Sequence, residues 1–202
     1  MYPDVVETYP MTEKDIHLGA PSYANFSYGF TKRSLSVGID AYNKQYKTKY
    51  NYLIPCNLYG EYDHFDDPNK CHFITALIRK IIDAEINGND NITLFGTGSP
   101  LRQFMYASDL ARTIKIVIEN DITDSFNVAT PEENTIEDMA NITLNALNKD
   151  IGVVFDTSKP DGQIRKTVSC DKMLSLIGDF EFTKLKDGVI NVYNEVIKRY
   201  EK

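Results

Sequence analysis

Residues 26–60 read FSYGFTKRSLSVGIDAYNKQYKTKYNYLIPCNLYG, and this stretch decides the fold. Its first part, up to about Tyr46, has the apolar spacing of a helix. Its second part contains the run Tyr50–Pro55, which is short, aromatic and apolar and is therefore predicted to be a buried strand. A long helix followed at once by a buried strand is typical of an α/β protein.

The rest of the chain continues this alternation. Residues 1–25 are rich in Pro, Gly and Tyr and predict an ordered loop, and residues 57–70 predict a turn-rich stretch. Ser108 and Asp109 are predicted to be the N-cap and first turn of a helix, and Thr135 to cap another with Asp138 three residues on. The predicted helices are 26–46, 73–86, 108–119, 135–147 and two C-terminal segments, and the further strands are 92–95, 125–129 and 153–155.

The composition is that of an ordinary globular protein. Of the 202 residues, 42% are hydrophobic and 25% charged, and 29 acidic against 22 basic residues give a net charge of −7. Because binding to nucleic acid requires a basic surface, this balance argues against nucleic acid as a partner. We see no apolar run long enough for a bilayer and no signal-like start, so we expect a cytoplasmic protein with no membrane association.

The three cysteines are Cys56, Cys71 and Cys170. Their number is odd, and no pair has the close spacing of a zinc site or a redox motif. We therefore expect reduced thiols and no metal site.

Tyr28 and Lys32 are four residues apart on the first predicted helix. Residues at this spacing share a face, so the phenol and the ammonium are expected to meet. A nearby ammonium favours the phenolate, which suits general acid–base catalysis. Taken alone, a tyrosine and a lysine at this spacing are more often part of a solvated helix face, so the meaning of the pair depends on the surrounding sequence.

That surrounding sequence resembles a known family. Tyr28-x-x-x-Lys32, the buried strand and Pro55-Cys56-Asn57-Leu58 together resemble the extended short-chain dehydrogenase/reductases that act on nucleotide sugars. More narrowly, the chain resembles the GDP-L-fucose synthase family, with one extra residue between Phe65 and His72 and with Phe95 in place of a tryptophan. The elements that carry this resemblance are HLGAP at 17–21, YGFTKR at 28–33, Asp63 with Phe65, HF at 72–73, FGTGSPLRQF at 95–104 and KPDGQIRK at 159–166.

The resemblance implies a two-stage reaction on GDP-4-keto-6-deoxy-mannose. Epimerisation at C3 and C5 is followed by NADPH-dependent reduction of the 4-keto group, which gives GDP-L-fucose. By the same resemblance, Tyr28 protonates the C4 alkoxide, Lys32 tunes Tyr28 and binds the nicotinamide ribose, and His72 donates a proton in epimerisation. These three are the catalytic residues that the resemblance implies.

The resemblance also implies which residues contact the ligands. Arg102 and Lys80 match positions that contact the diphosphate, a task that suits the planar donor fork of arginine. Plainer alternatives are a helix-start role for His72, a solvated charge for Lys80 and a turn with Gly162 for Asp161. The implied contacts to NADP(H) are Lys32, Pro55, Cys56, Asn57, Leu58 and His72; those to the substrate are Asn57, Lys80, Phe95, Arg102, Asp161 and Lys166.

The resemblance implies an α/β fold, namely the C-terminal part of a doubly wound Rossmann-like sheet plus a small α/β substrate-binding domain. Residues 1–60 would belong to the dinucleotide-binding domain and 61–202 mainly to the substrate domain, with a return near 105–130. No Gly-x-x-Gly-x-x-Gly occurs in the 202 residues. The catalytic serine and epimerisation cysteine that the family places before the segment matched by Met1–Asp4 are also absent, and Cys71 is not predicted to replace that thiol.

Without those elements, we expect an open sheet edge and an uncovered apolar face, and a need for the missing half from an upstream frame or a complementing chain. A homodimer is also expected from the resemblance. Two alternatives stay open. One is a non-catalytic remnant that binds GDP-sugar or pairs with a full-length subunit. The other is a different NAD-dependent nucleotide-sugar epimerase or dehydratase, against which His72 and residues 159–166 argue.

Overall fold

The computed structural model describes residues 1–65 and 71–200. Its helices are α1 Phe26–Tyr46, α2 Phe73–Asn87, α3 Ala107–Glu119, α4 Ile136–Ala146, α5 Asp171–Ile177 and α6 Leu185–Tyr200, with short 3-10 helices at Glu13–His17 and Tyr23–Asn25. Its strands are β1 Leu53–Pro55, β2 Asn57–Tyr59, β3 Asn91–Phe95, β4 Leu101–Arg102, β5 Phe104–Tyr106, β6 Phe126–Val128, β7 Asn134–Thr135, β8 Gly152–Asp156 and β9 Arg165–Lys166.

The strands pair mainly in parallel. β1 pairs with β6, β2 with β5, and β3 with β8, each in parallel. β4 lies between β9, which is parallel to it, and β7, which is antiparallel. Parallel pairs joined through helices are the pattern of an α/β fold, as the sequence predicted.

Helix α2 forms the centre of the core because its apolar residues lie in two rows. Ile74, Ile78 and Ile82 pack in the cluster that contains the buried valines of α6. Leu77 and Ile81 pack in the cluster with the inward residues of β3 and part of α4. All five are at most 1% exposed, and burying a side chain of this size contributes about 1.5–3 kcal/mol. The helical spacing of the sequence predicted this element.

Helix α1 packs much less. Its buried residues are Gly29, Arg33 and Ser36, none of which is a large apolar side chain. Its large apolar residues are instead exposed, namely Phe26, Tyr28, Phe30, Leu35, Val37, Tyr42 and Tyr46. Helix α1 therefore presents an exposed apolar surface.

The side chain of Gln103 links strands β4 and β5 to two distant segments of the chain. This residue lies between β4 and β5 and is 2% exposed. Its amide nitrogen donates to the backbone oxygens of Thr130, 2.9 Å away, and Val168, 3.0 Å away, and its oxygen accepts from the Val168 N–H at 2.8 Å. Thr130 follows β6 and Val168 follows β9, so one side chain links three segments.

Some local predictions were wrong. The predicted turn-rich stretch begins with strand β2, which is stabilised by its pairing with β5 and not by any local pattern. Helix α3 has Tyr106 as its N-cap in place of Ser108. Asp109 does lie in the first turn, but it is buried because its carboxylate accepts from the backbone and hydroxyl of Thr183 and from Arg112.

Other local predictions are confirmed. Thr135 and Asp138 form a capping box at the start of α4, in which each side chain accepts from the other's backbone N–H. The strand predicted over 50–55 is confirmed in the shorter range of β1. No helix within the described ranges is both long enough and apolar enough to cross a membrane.

Candidate functional site

Tyr28 and Lys32 lie together on the exposed side of α1. The Lys32 ammonium is 5.5 Å from the centroid of the Tyr28 ring. Tyr28 is 62% exposed, so its phenol is open to a ligand. The spacing predicted this contact, and one helical turn between the two residues produces it.

The adjacent side of α1 is held against the N-terminal segment. The buried Arg33 donates from Nε to the Met1 carbonyl at 2.6 Å and from Nη1 to the Gly19 carbonyl at 2.5 Å. A side chain at Gly29 would bring its Cβ to 2.6 Å from Cβ of Pro21, so the helix and segment approach as closely as glycine allows. These contacts fix the rotation of α1 and leave Tyr28 facing outward.

His72 is the N-cap residue of α2, and its ring is bound by Asp63. The His72 Nδ1 atom lies 2.9 Å from Oδ1 of Asp63, and the His72 N–H donates to Oδ2 at 3.3 Å. The same carboxylate accepts from the Thr75 hydroxyl at 2.5 Å and from the His64 N–H at 2.8 Å. Burial by itself raises the pKa of Asp63, but these hydrogen bonds outweigh burial and leave the pKa below its usual value.

Lys80 and Phe95 lie together although they are on different elements. The Lys80 ammonium donates to the Thr93 carbonyl at 2.5 Å and lies 5.3 Å from the centroid of the Phe95 ring. The Phe95 ring is itself 65% exposed at the end of β3. Lys80 is thus a positioned cation beside an open aromatic face and not an unattached surface charge.

The glycine-rich loop after β3 is tied down by Asp161. The Asp161 carboxylate accepts from the Thr97 N–H at 2.6 Å and from the Thr97 hydroxyl at 2.9 Å. Gly96 has a φ of +82°, and an added Cβ there would lie 2.2 Å from the Asp161 Oδ1 atom. Both carboxylate oxygens of Asp161 are therefore engaged in holding this loop.

Arg102 and Lys166 lie side by side. They are register partners in the parallel pair of β4 and β9. The pKa of Lys166 is lowered, first by burial and then by the Arg102 guanidinium. Burial also lowers the pKa of Arg102, while Asp161 opposes that effect. Two cations held close together in a partly desolvated place form a site that an anion would stabilise.

The consecutive strands β1 and β2, which follow α1, contain the other predicted cofactor contacts. The Asn57 side chain donates to the Gln103 carbonyl at 2.9 Å, and the Cys56 N–H donates to the Val128 carbonyl at 2.9 Å. Burial raises the pKa of Cys56 to about 12, so its thiol stays protonated at neutral pH. Cys56 can thus contribute backbone and packing but not a thiolate. Pro55 is exposed, and Leu58 is partly buried against the cluster around Phe126.

The segment Met1–Asp4 lies between α1 and β9. Burial lowers the pKa of the Met1 amine, and Lys166 and Arg33 lower it further, so both cations are near it. The Gln163 side chain donates to the Asp4 carbonyl at 2.6 Å. Tyr28 immediately precedes Gly29, beside which Met1 packs, so the Tyr28 helix and the Arg102–Lys166 strands flank one short segment.

The predicted residues therefore fall into pairs rather than one contact network. Within 1–65 and 71–200, no hydrogen bond, ion pair or ring contact joins Tyr28 or Lys32 to His72, Lys80 or Arg102. Two open cavities, of about 440 and 560 Å³, are lined by other residues, including Glu61 with Asn191 and Arg33 with Phe30.

Two residues of this region were missed by sequence reasoning. Asp63 and Gln103 belong to sequence elements that carry the resemblance, but the sequence predicts no role for either. For Gln103, which follows the equally polar Arg102, no local pattern marks the side chain as buried. For Asp63, no local pattern connects it to a histidine nine positions on.

A Tyr-x-x-x-Lys helix leading into parallel strands defines a Rossmann-like α/β protein. The sequence model of the NAD dependent epimerase/dehydratase family matches residues 1–129, and the chain belongs to that family. The predicted fold class is thereby confirmed.

Individual relatives show which members of this family the chain is similar to. The chain is 37% identical to a GDP-L-fucose synthase of Dictyostelium discoideum, over all of this chain and 63% of that protein. It is 33% identical to a probable GDP-L-fucose synthase of Drosophila melanogaster, over all of this chain and 65% of that protein. A solved GDP-L-fucose synthetase from Naegleria fowleri bound to NADP superposes with a TM-score of 0.89 at 32% identity, covering all of this chain and 64% of that one. The resemblance noted from the sequence is confirmed, and the chain spans just under two thirds of the length of these relatives.

Proposed function

We propose that this chain carries the tyrosine-bearing helix and the sugar-nucleotide-binding part of a GDP-L-fucose synthase. The reaction is epimerisation at C3 and C5 of GDP-4-keto-6-deoxy-mannose, followed by NADPH-dependent reduction of the 4-keto group to give GDP-L-fucose. The observation that carries the proposal is the adjacent pair Arg102 and Lys166 on β4 and β9. A nucleotide sugar presents a diphosphate, and two adjacent cations can hold a diphosphate through charge-assisted hydrogen bonds.

The local charges support a diphosphate ligand. Asp161 is near Arg102, but both of its oxygens accept hydrogen bonds from Thr97. Asp4 is near Lys166 as Asp161 is near Arg102, yet the pKa of Lys166 stays below its usual value, so among the described residues these carboxylates offset the repulsion between the two cations only in part. An anion bound between the two cations relieves that repulsion and gains charge-assisted hydrogen bonds.

The open ring of Phe95 with Lys80 beside it supports an extended ligand. β3 ends at Phe95, and the loop tied down by Asp161 leads from there to Arg102 in β4. In this proposal Phe95 offers an aromatic face to the ligand, and Lys80 adds a third cation on the diphosphate side.

In this proposal His72 and Tyr28 each donate a proton to the substrate, in different steps of the reaction. The 4-keto group acidifies the protons at C3 and C5; in this proposal a base of the complementing segment removes each proton from one face, and His72 returns a proton to the carbon from the opposite face. Tyr28 gives its hydroxyl proton to the C4 oxygen as the ketone is reduced, and the Lys32 ammonium beside the ring stabilises the phenolate that remains.

NADP(H) fits the exposed face of α1 in part. Tyr28 and Lys32 are exposed and so open to a nicotinamide ribose. Asn57 is the first residue of β2, which follows α1 and β1 along the chain. The cofactor supplies the hydride when bound. The pyrophosphate requires a glycine-rich loop at a helix N-terminus, which the 202 residues do not contain, so we propose that a further segment or a complementing chain supplies it.

The exposed apolar side chains of α1 support such a partner. In this proposal they are covered by the complementing dinucleotide-binding region or by a second copy of the chain in a homodimer, in the cytoplasm. A different class of function, GDP-sugar binding without turnover, is favoured by one observation: the 202 residues contain the adjacent cations Arg102 and Lys166 but no glycine-rich dinucleotide loop.

Calorimetry with GDP-L-fucose tests the proposal. We expect binding, and a loss of affinity of about 10–100-fold in Arg102→Gln, since a hydrogen bond to a charged group contributes about 1.5–3 kcal/mol. Lys115→Gln is the matched control because Lys115 is an exposed cation paired with Glu119 on α3. Equal affinity in Arg102→Gln and in the unmodified chain would contradict the assignment of the diphosphate site.

Turnover separates the two classes of function. NADPH oxidation with GDP-4-keto-6-deoxy-mannose is measured for the chain alone and for the chain mixed with a glycine-rich dinucleotide-binding segment of a relative. Oxidation only in the mixture supports the synthase proposal. Binding without oxidation in either sample supports the non-catalytic alternative, and a preference for UDP-sugars over GDP-sugars supports a different epimerase or dehydratase.

A further inference from the structure

The carboxylate of Asp63 contacts both the ring and the backbone N–H of His72. It is only 10% exposed, whereas the His72 side chain is 67% exposed. Oδ1 meets the ring at Nδ1, and Oδ2 accepts the backbone N–H of the same histidine. Two contacts from one carboxylate to one residue fix both the start of α2 and the direction of the imidazole.

Among the described residues, the other partners of Asp63 are hydrogen-bond donors. Thr75 donates its hydroxyl and His64 its backbone N–H. A carboxylate that receives donors on both oxygens is kept in the ionised form, and an ionised carboxylate can only accept hydrogen bonds. The nitrogen that faces it must therefore carry the hydrogen.

From this geometry we infer that Asp63 is a positioning residue that holds His72 as the Nδ1–H tautomer and reserves Nε2 for proton exchange with a ligand. The catalytic meaning of this inference rests on the proposed function, in which His72 is a proton donor. The tautomer itself does not depend on that function. In the neutral ring Nε2 then has a lone pair, and in the protonated ring it carries the proton that is given up.

A purely structural role for Asp63 is the competing explanation. Asp63 also receives the His72 N–H at the start of α2, as a capping group does. Such a role requires the carboxylate at the helix end but places no demand on which ring nitrogen is protonated. The tautomer therefore distinguishes the two roles.

The test uses the full chain labelled with ¹⁵N in histidine. Two-bond ¹H–¹⁵N spectra are recorded at about pH 9, where ordinary imidazoles are neutral. The chain has three histidines, and His72→Gln identifies the signals of His72 by their loss. We expect Nδ1 of His72 to resonate as a protonated nitrogen and Nε2 as an unprotonated one. His17 and His64 serve as internal references in the same spectrum.

Two variants complete the test. Asp63→Ala should move the Nε2 resonance of His72 toward the protonated position, because free imidazoles favour the Nε2–H tautomer. Thr75→Val removes another donor to the same carboxylate but keeps the ring contact, so it should leave the tautomer unchanged.

An Nε2–H tautomer in the unmodified chain overturns the inference even if Asp63→Ala does not fold. An unchanged tautomer in a folded Asp63→Ala also overturns it. Because no ligand is added, failure of GDP-sugar binding does not affect the result.

Discussion

Arg102 and Lys166 lie opposite each other in adjacent parallel strands, and the Arg102 guanidinium adds to the effect of burial in lowering the pKa of Lys166. If both residues hold one diphosphate, their contributions to binding must depend on each other. Groups that share a partner are non-additive, by about 0.5–3 kcal/mol.

We therefore expect a double-mutant cycle of Arg102→Gln and Lys166→Gln to show coupling in the affinity for GDP-L-fucose. Each single variant should bind about 10–100-fold more weakly, and the double variant should differ from the sum of the two losses. Calorimetry measures all four proteins. Lys115→Gln combined with Arg102→Gln is the control cycle, in which the losses should add. Additive losses in the test cycle would mean that the two cations do not share a ligand.

Gly29 and Gly38 lie on the same helix, but only Gly29 is packed. An added Cβ at Gly29 would lie 2.6 Å from Cβ of Pro21, whereas nothing lies within 4 Å of one at Gly38. Gly38→Ala should stabilise the chain by up to about 1 kcal/mol through helix propensity. Gly29→Ala should destabilise it, because overpacking costs about 1–3 kcal/mol. Urea unfolding measures both, and equal effects of the two variants would contradict the close approach of the N-terminal segment to α1.

The stability of the chain in acid should depend on Thr75. The folded pKa of Asp63 lies below its usual value, because hydrogen bonds from Thr75, His72 and His64 outweigh the effect of burial. A carboxyl group of this kind stabilises the fold above its unfolded pKa of about 4, and the stabilisation is lost as the pH falls through the folded value.

Thr75→Val should accordingly cost about 1.5–3 kcal/mol at about pH 7, since it removes a hydrogen bond to a charged group, and the difference should shrink below about pH 4. Urea unfolding at several pH values gives the measurement. Thr143→Val is the matched control: Thr143 is equally buried, but its hydroxyl donates to a backbone carbonyl, that of Met139, at 2.7 Å. Its cost should not vary with pH. If Thr75→Val costs the same free energy of unfolding at every pH, the Thr75 hydroxyl does not stabilise the ionised form of Asp63.

Gln103 should be intolerant of replacement by an apolar side chain of similar size. Gln103→Met would leave the Val168 N–H without its partner, and each buried group left unsatisfied costs about 1–3 kcal/mol. Gln45→Met on the exposed side of α1 should change stability by less than about 0.5 kcal/mol. The free energy of unfolding in urea is measured for both variants. Equal stability of Gln103→Met and Gln45→Met would contradict the conclusion that the hydrogen bonds of Gln103 stabilise the fold.

Sequence reasoning succeeded where a pattern repeats along the chain. The rows of isoleucines and leucines in α2 and the Thr135–Asp138 box predicted their helices because both signals are local. The strands β2, β4, β5, β7 and β9 were missed because each has only two or three residues and exists through its pairing with a distant strand. The residues Tyr28 and Lys32 were paired correctly from spacing alone. The contact of Lys80 with Phe95 and that of Asp63 with His72 depend on the paths of loops, which composition does not determine.

The single amide of Gln103 has a consequence for how the chain loses its structure. Its hydrogen bonds reach the segment after β6 and the segment after β9, and the pairing of β9 with β4 holds Arg102 beside Lys166. Separating β4 and β9 from β6 would break the hydrogen bond from the Gln103 amide to the Thr130 carbonyl, which links these two regions. The two regions should thus melt in one cooperative step, and amides near Val168 and near Val128 should share a common opening free energy in hydrogen exchange.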